Sequence, residues 1–311
     1  MTLLTNWTES HTQSFQKDIM SFGHDLNSTG LFTDDALIAL LDKHPSHMLD
    51  VCTMGDPNHA LYPNKFRTGD FRDAGGKVIL DAAKAGKVWV NVRRAMNVHP
   101  EYKEVLDAMY AGISERTGNK AFNANGGILI SSPVAKVPYH FDKTETILWH
   151  IRGQKTMYLY PLTPDFIPDR AYEAAVSNAL EDDLPYTPEF DASATVIDLE
   201  PGTALTWPMN QPHRVNNKTF CVSVTTEYST VASGRRNAAM IANATLRAKF
   251  GANPSYWEAS PRERYVKAVL GRVIKKVGIA HKVTVPDLVT FKLDPSAPDY
   301  LVDTDPYRRD F

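Results

Sequence analysis

The sequence predicts an α+β fold in which a block of short strands is flanked by helices on both sides. Two observations carry this. Between residues 121 and about 230 the apolar residues fall in short β-branched and aromatic runs, broken by Gly, Pro, Asn and Asp, as expected of strands in a sandwich or barrel. Before and after that block they recur at helical spacing, behind recognisable capping residues. The chain therefore divides into a mostly helical region (1–120), a strand-rich core (121–230) and a basic helical region (231–311).

In the first region Thr33 is a good N-cap. Asp34 and Asp35 follow it in the first turn, before Ala36, Leu37, Ala39, Leu40 and Leu41. Val78, Ile79, Ala82 and Ala83 continue the helical spacing, and Lys87 to Val92 alternates like a strand. His99-Pro100-Glu101 opens another helix, because Pro suits the first turn and an acid suits its positive end. The core's strands are expected at Gly127 to Ser131, Thr144 to Ile151, Lys155 to Tyr160, Ala194 to Leu199, Thr203 to Trp207 and Phe220 to Tyr228. An insertion from Asp165 to Asp191 carries a helix, Arg170 to Leu180, and then Glu181-Asp182-Asp183. That acidic run reads first as a solvated loop and second as a lid over a basic substrate. In the last region Ser260-Pro-Arg-Glu263 is a capping box. Val266, Val269, Leu270, Val273, Ile274 and Val277 mark one face of the helix that follows, and Gly278 ends it.

Composition excludes several classes. Hydrophobic residues are 43% and charged residues 23%, which is neither disordered nor fibrous. A net charge of −2 gives no bulk affinity for polyanions. Two cysteines, Cys52 and Cys221, make no disulfide framework and no CxxC pair. No signal peptide is visible and no apolar run spans a bilayer, so a cytoplasmic location is expected and no membrane partner. From Arg235 to Lys282 eleven Lys or Arg face two Glu. Nucleic-acid contact would suit that asymmetry, but no binding motif accompanies it. The favoured reading is a helix pair with a basic face that packs on acidic surface or on a second subunit.

The phosphate-cradling, dinucleotide, nucleophile-elbow and zincin motifs are all missing. What remains is histidine geometry. In His140-Phe141-Asp142, strand spacing would place imidazole and carboxylate on one face, projecting into a barrel. A buried Asp needs a positive neighbour, which a divalent metal supplies. His213, in Gln211-Pro212-His213-Arg214, is the candidate third ligand. Two His and one carboxylate leave open positions, the donor set of non-haem Fe(II) oxygenases. Taken alone, the first pair reads more readily as a hydrogen-bonded His–Asp turn, and it is the surroundings that favour a metal.

The stretch from His140 through Trp149, Gly153, Lys155 and Tyr160 to Pro161 resembles the first half of a JmjC-type, cupin-like domain. Leu199-Glu-Pro-Gly-Thr-Ala-Leu-Thr-Trp-Pro-Met-Asn-Gln-Pro-His213 resembles the second half. The family is the Fe(II)- and 2-oxoglutarate-dependent oxygenases, and the nearest branch is the asparaginyl-hydroxylase type. The resemblance covers roughly residues 126 to 228. It implies a double-stranded β-helix (jelly-roll or cupin) barrel with His140, Asp142 and His213 on the metal. It places Lys155 against the distal carboxylate of 2-oxoglutarate, with O2 as the third reactant. Strand alternation agrees, since Lys155, Met157 and Leu159 share a face and an inward ammonium needs an anion.

The family's hydroxyl three residues before the first ligand is Val137 here, so Thr146 and then Thr225 are the candidates to replace it. Thr203 stands where the family has Asp after Pro-Gly. The implied activity is hydroxylation, or demethylation by hydroxylation, of a protein side chain or small metabolite. The rivals are a metal cupin enzyme independent of 2-oxoglutarate and a non-catalytic regulatory module. The branch also implies a homodimer through the C-terminal helices.

Overall fold

The computed structural model describes residues 3–53, 59–61, 66–177, 184–282 and 287–310. Its strands in chain order are β1 (Leu4–Thr5), β2 (Met20–His24), β3 (Leu49–Thr53), β4 (Arg67–Asp70), β5 (Val88–Val92), β6 (Phe122–Ser131), β7 (Lys136–His140) and β8 (Glu145–Arg152). Then come β9 (Lys155–Leu159), β10 (Thr195–Leu199), β11 (Thr203–Thr206), β12 (His213–Asn217), β13 (Cys221–Ser229), β14 (Leu288–Leu293) and β15 (Leu301–Arg308). Among the described residues one large sheet has the order β1-β2-β11-β8-β13-β6-β5-β3-β4-β14-β15, and a small one has β10-β9-β12-β7. The pairing of β14 with β4 is parallel, and the small sheet is antiparallel throughout.

From β6 to β13 the chain passes back and forth between the sheets. Strands β6, β8, β11 and β13 lie in the large sheet, and β7, β9, β10 and β12 in the small one. This is the winding of a jelly-roll barrel, as the sequence implied.

Alternation along the strands decides what each face buries. On β8, Leu148 points inward and meets Met157 and Leu159 of β9, Leu199 of β10, Leu205 of β11, Trp207 and Val215. Ile147, Trp149 and Ile151 of the same strand point outward. They join Leu37 and Leu40 of the helix Asp34–Lys43, Ile79 and Leu80 of Gly76–Ala85, and Leu106 and Met109 of Pro100–Thr117. Each such side chain removed from water contributes about 1.5–3 kcal/mol. Trp149 is fully buried, and its Nε1 donates to Thr226 Oγ1 at 2.9 Å, so no polar atom is stranded. Outside the small sheet, Tyr160 packs with Tyr172 of the helix Asp169–Val176 and with Met240 of the helix Val231–Phe250.

The capping signals behave as their chemistry requires. Thr33 Oγ1 accepts from Ala36 N at 3.3 Å. Ser260 Oγ accepts from Glu263 N, and Glu263 Oε2 accepts from Ser260 N. The helix Pro261–Lys276 packs on Val231–Phe250 through Ala268, Gly271 and Ile274. A Cβ on Gly271 would come within 1.8 Å of the Ala238 carbonyl oxygen, so only glycine permits that approach. The opposite face leaves Val266, Val269, Val273 and Val277 exposed by 64, 45, 52 and 59%.

The flanking regions differ from their sequence pattern. Residues 1–120 supply five strands as well as helices: β1 and β2 extend the large sheet beyond β11, and β5, β3 and β4 extend it beyond β6. Only β5 alternates strongly enough to be read in advance. The others have two to five residues and take their stability from a neighbouring edge rather than from their own pattern. The last region likewise ends in a hairpin, β14 and β15, with Val289 and Phe291 fully buried. The insertion helix is Asp169–Val176, and Glu181-Asp182-Asp183 lies outside the described residues. No helix among the described residues is long and apolar enough to cross a membrane.

Candidate metal centre

His140 is the last residue of β7 and His213 the first of β12. The two are cross-strand partners, so pairing alone brings their rings together, with centroids 4.2 Å apart. Asp142 lies two residues beyond the end of β7, outside any strand. The expectation that His140 and Asp142 share one face of one strand is therefore corrected. Residues 141–144 leave the sheet to cross to β8, and it is this turn that swings the carboxylate back beside the imidazoles. Asn210 Nδ2 donates to the Asp142 carbonyl at 2.6 Å. Arg236 Nη1 donates to Met209 O at 3.0 Å and to Asn210 Oδ1 at 3.3 Å. The turn after β7 and the loop before β12 are thereby tied together. Asn210 sits at φ 66°, a left-handed conformation that Asn tolerates better than most residues.

Asp142 Oδ1 lies 4.0 Å from His140 Nε2, and Asp142 Oδ2 lies 3.7 Å from His213 Nε2. These separations are too long for hydrogen bonds. The three donor atoms nevertheless all lie within 4.8 Å of one another, close enough to share one ion. The tautomers are set for it. His140 Nδ1 faces Pro138 O at 2.8 Å and His213 Nδ1 faces Gln211 O at 3.0 Å. A carbonyl only accepts, so each Nδ1 carries the hydrogen and each Nε2 presents its lone pair. Burial first and nearby His140 second bring the His213 pKa down to about 4, against the opposing pull of Asp142 and the Gln211 carbonyl. Trp207, just beyond the end of β11, rests against His213 with centroids 4.7 Å apart.

The barrel interior below this mouth is built of cross-strand rows. β13 contributes Glu227, Thr225 and Ser223 in turn. They pair with Thr146, Leu148 and His150 on β8, and with Asn125, Gly127 and Leu129 on β6. Thr146 thus lies in the row nearest the ligands, beside Glu227. Thr225 lies one row deeper, half-buried opposite Gly127, which leaves its position without a side chain. Thr146 Oγ1 has only a long 3.5 Å approach to Thr144 O.

Lys155 is buried on β9, opposite Asn217 at the far end of the strand whose Leu159 faces His213. It therefore stands about 13 Å along the sheet from the imidazole end. Its Nζ crosses the barrel to Ser223 Oγ at 2.9 Å. Among the described residues it forms no ion pair, and burial lowers its pKa. The fit to the implied groups is good on two counts. A His, Asp, His donor set with free Nε2 atoms suits a divalent metal with open positions, and an unneutralised buried ammonium suits an anion.

Sequence reasoning missed Glu227, Ser223 and His150. Glu227 is pushed up to about 7 by burial and then by the Asp142 charge. The signal was present in the polar alternation Ser223, Thr225, Glu227 against Val222, Val224, Thr226 and Tyr228 on the other face of the strand.

No protein-family model matches this chain, and no curated protein does. Among solved structures it is similar to Escherichia coli ycfD, with 15% identity and a TM-score of 0.51, over 92% of this chain and 76% of that one. A further structure, of YcfD described as a ribosomal oxygenase from Escherichia coli in complex with cobalt and 2-oxoglutarate, gives 16% identity and a TM-score of 0.49, over 93% and 74%. At 15% identity the likeness to ycfD is one of fold alone, and in this chain that fold is a jelly-roll barrel with helices and extra strands around it.

Proposed function

We propose that this protein is an Fe(II)- and 2-oxoglutarate-dependent oxygenase whose catalytic core is residues 121–230. One observation carries the reading. Three side chains able to hold one metal ion at the barrel mouth, and a buried ammonium with no acidic partner among the described residues, stand at opposite ends of one strand pair. A metal alone would not need the second feature. His140, Asp142 and His213 would hold iron, and Lys155 would pair with the distal carboxylate of 2-oxoglutarate. Thr225, between those levels, and Thr146, at the mouth, are the hydroxyls that would take over from the one missing at Val137. Iron with the bound oxo acid and O2 would supply the oxidising power for hydroxylating a C–H bond, or for demethylation that begins so. The protein's own contribution is to hold the ligand tautomers, neutralise the oxo acid and keep the chamber dry.

The substrate is proposed to be a protein side chain or a small metabolite, met in the cytoplasm. The exposed valine stripe on the helix Pro261–Lys276 supports a homodimer through the C-terminal helices. The test is anaerobic loading with Fe(II) and 2-oxoglutarate, followed by exposure to O2. A visible charge-transfer band and succinate formation are expected. Metal binding without either would favour a metal cupin enzyme that does not use the oxo acid.

A further inference from the structure

We infer that Ser223 and His150 are positioning residues that fix the Lys155 ammonium, so that its two remaining hydrogens are kept for the distal carboxylate of the co-substrate. This deepens the oxygenase reading and rests on it.

The argument is one of hydrogen-bond direction. His150 Nε2 lies 2.8 Å from Gly153 O. That carbonyl can only accept, so Nε2 carries the ring hydrogen and Nδ1 is left with its lone pair. Ser223 Oγ lies 3.0 Å from that Nδ1 and 2.9 Å from Lys155 Nζ. The ammonium can only donate. The Ser223 hydroxyl therefore accepts from Lys155 and gives its own hydrogen to His150. Every donor and acceptor in the chain of bonds has one assignment, and the chain ends on main chain.

That end is firm. Gly153 sits at φ 85° in the turn between β8 and β9, where a Cβ would come within 2.0 Å of the Phe220 carbonyl oxygen. His24 Nε2 approaches the His150 carbonyl at 3.1 Å, tying the same residue to β2. Ser223 and His150 are cross-strand partners on β13 and β8, so the hydroxyl and the ring are placed by register. Burial and the Lys155 charge hold His150 near pKa 4, which keeps the ring neutral and accepting.

Two consequences follow. The Ser223 hydroxyl has no hydrogen left for an anion, so it acts through Lys155 rather than as a substitute for the hydroxyl missing at Val137. The ammonium, whose four-carbon stem would otherwise sample many rotamers, is held across the barrel from the small sheet to the large one.

The experiment is calorimetric titration of the full chain loaded with Mn(II), without turnover, using two probes. 2-Oxoglutarate carries the distal carboxylate and oxalate lacks it, while both can chelate the metal. Ser223→Ala and His150→Phe are expected to weaken 2-oxoglutarate about tenfold or more and to leave oxalate unchanged. Ser223→Thr, which keeps the hydroxyl, should bind both like the wild type. Equal binding of 2-oxoglutarate by Ser223→Ala, His150→Phe and wild type would overturn the inference, as would equal weakening of both probes. If Lys155→Ala weakens 2-oxoglutarate while the other two variants do not, the inference fails and the oxygenase reading stands. If the wild type binds Mn(II) but not 2-oxoglutarate, both fall.

Discussion

His140 and His213 are cross-strand partners on β7 and β12, and the Nε2 of each faces a different oxygen of Asp142. The site is thus defined by one rung of one ladder plus the turn that follows it. Asp142→Ala is expected to weaken Co(II) or Mn(II) binding by roughly a hundredfold or more, since a three-donor site becomes a two-donor one. Titration calorimetry with wild type and variant checks this. Unchanged affinity would mean that the three side chains do not share an ion.

Glu227 gives a pH dependence of stability. Its carboxyl is raised from 4.5 to about 7 in the folded chain. The folded state therefore binds the proton more tightly than the unfolded state. The favourable contribution is fully present below about pH 4.5 and is lost as pH rises through about 7. For the metal-free protein the whole effect is about 3 kcal/mol. Glu227→Gln should accordingly gain stability relative to wild type at pH 8 and gain little near pH 4.5. Urea denaturation at the two pH values reads this difference, and an equal gain at both would contradict the assignment.

Gly271 lets the two C-terminal helices approach closely, beside the Ala238 main chain. Gly271→Ala has better helix propensity, but its Cβ would meet the Ala238 carbonyl. The clash should dominate and cost about 1–3 kcal/mol. Thermal denaturation would show a lowered midpoint, with Mn(II) affinity retained because the metal ligands lie on β7, the turn after it and β12.

The same helix carries the exposed stripe. If that stripe joins two copies, Val269→Glu and Val273→Glu together should convert a dimer to a monomer in light scattering and leave the melting midpoint little changed. A wild-type chain that is monomeric at tens of micromolar would rule out the homodimer.

Much of the site could be read before the fold was known. His140, Asp142 and His213 are singled out by two motifs in order rather than by spacing alone, and their donor atoms do lie within 4.8 Å of one another; the six core strands with strong β-branched character lie within a few residues of their expected places. The two strands that end at the histidines could not be read. β7 is Lys-Val-Pro-Tyr-His and β12 is His-Arg-Val-Asn-Asn, each short and polar, with a proline in the first. Their pairing is a tertiary effect, because each is held by a neighbour on the sheet rather than by a pattern of its own. The same holds for β2 and β14. Ser223 and His150 were missed because a serine and a histidine in a strand carry no motif. Their significance appears only when register sets them side by side and Lys155 arrives from the other sheet.

β7 is bonded to β12 on one side, and no strand among the described residues pairs with its other side. Proline occupies its centre, which blunts that open flank against joining a foreign chain. His140 consequently sits on a strand held along one side only, whereas His213 is sandwiched between two ladders. An ion shared by the two would act as a rivet across this loose margin. Amides of residues 136–142 should then exchange with solvent far more slowly once Mn(II) is added, so filling the site and stiffening the rim of the reaction chamber become one event.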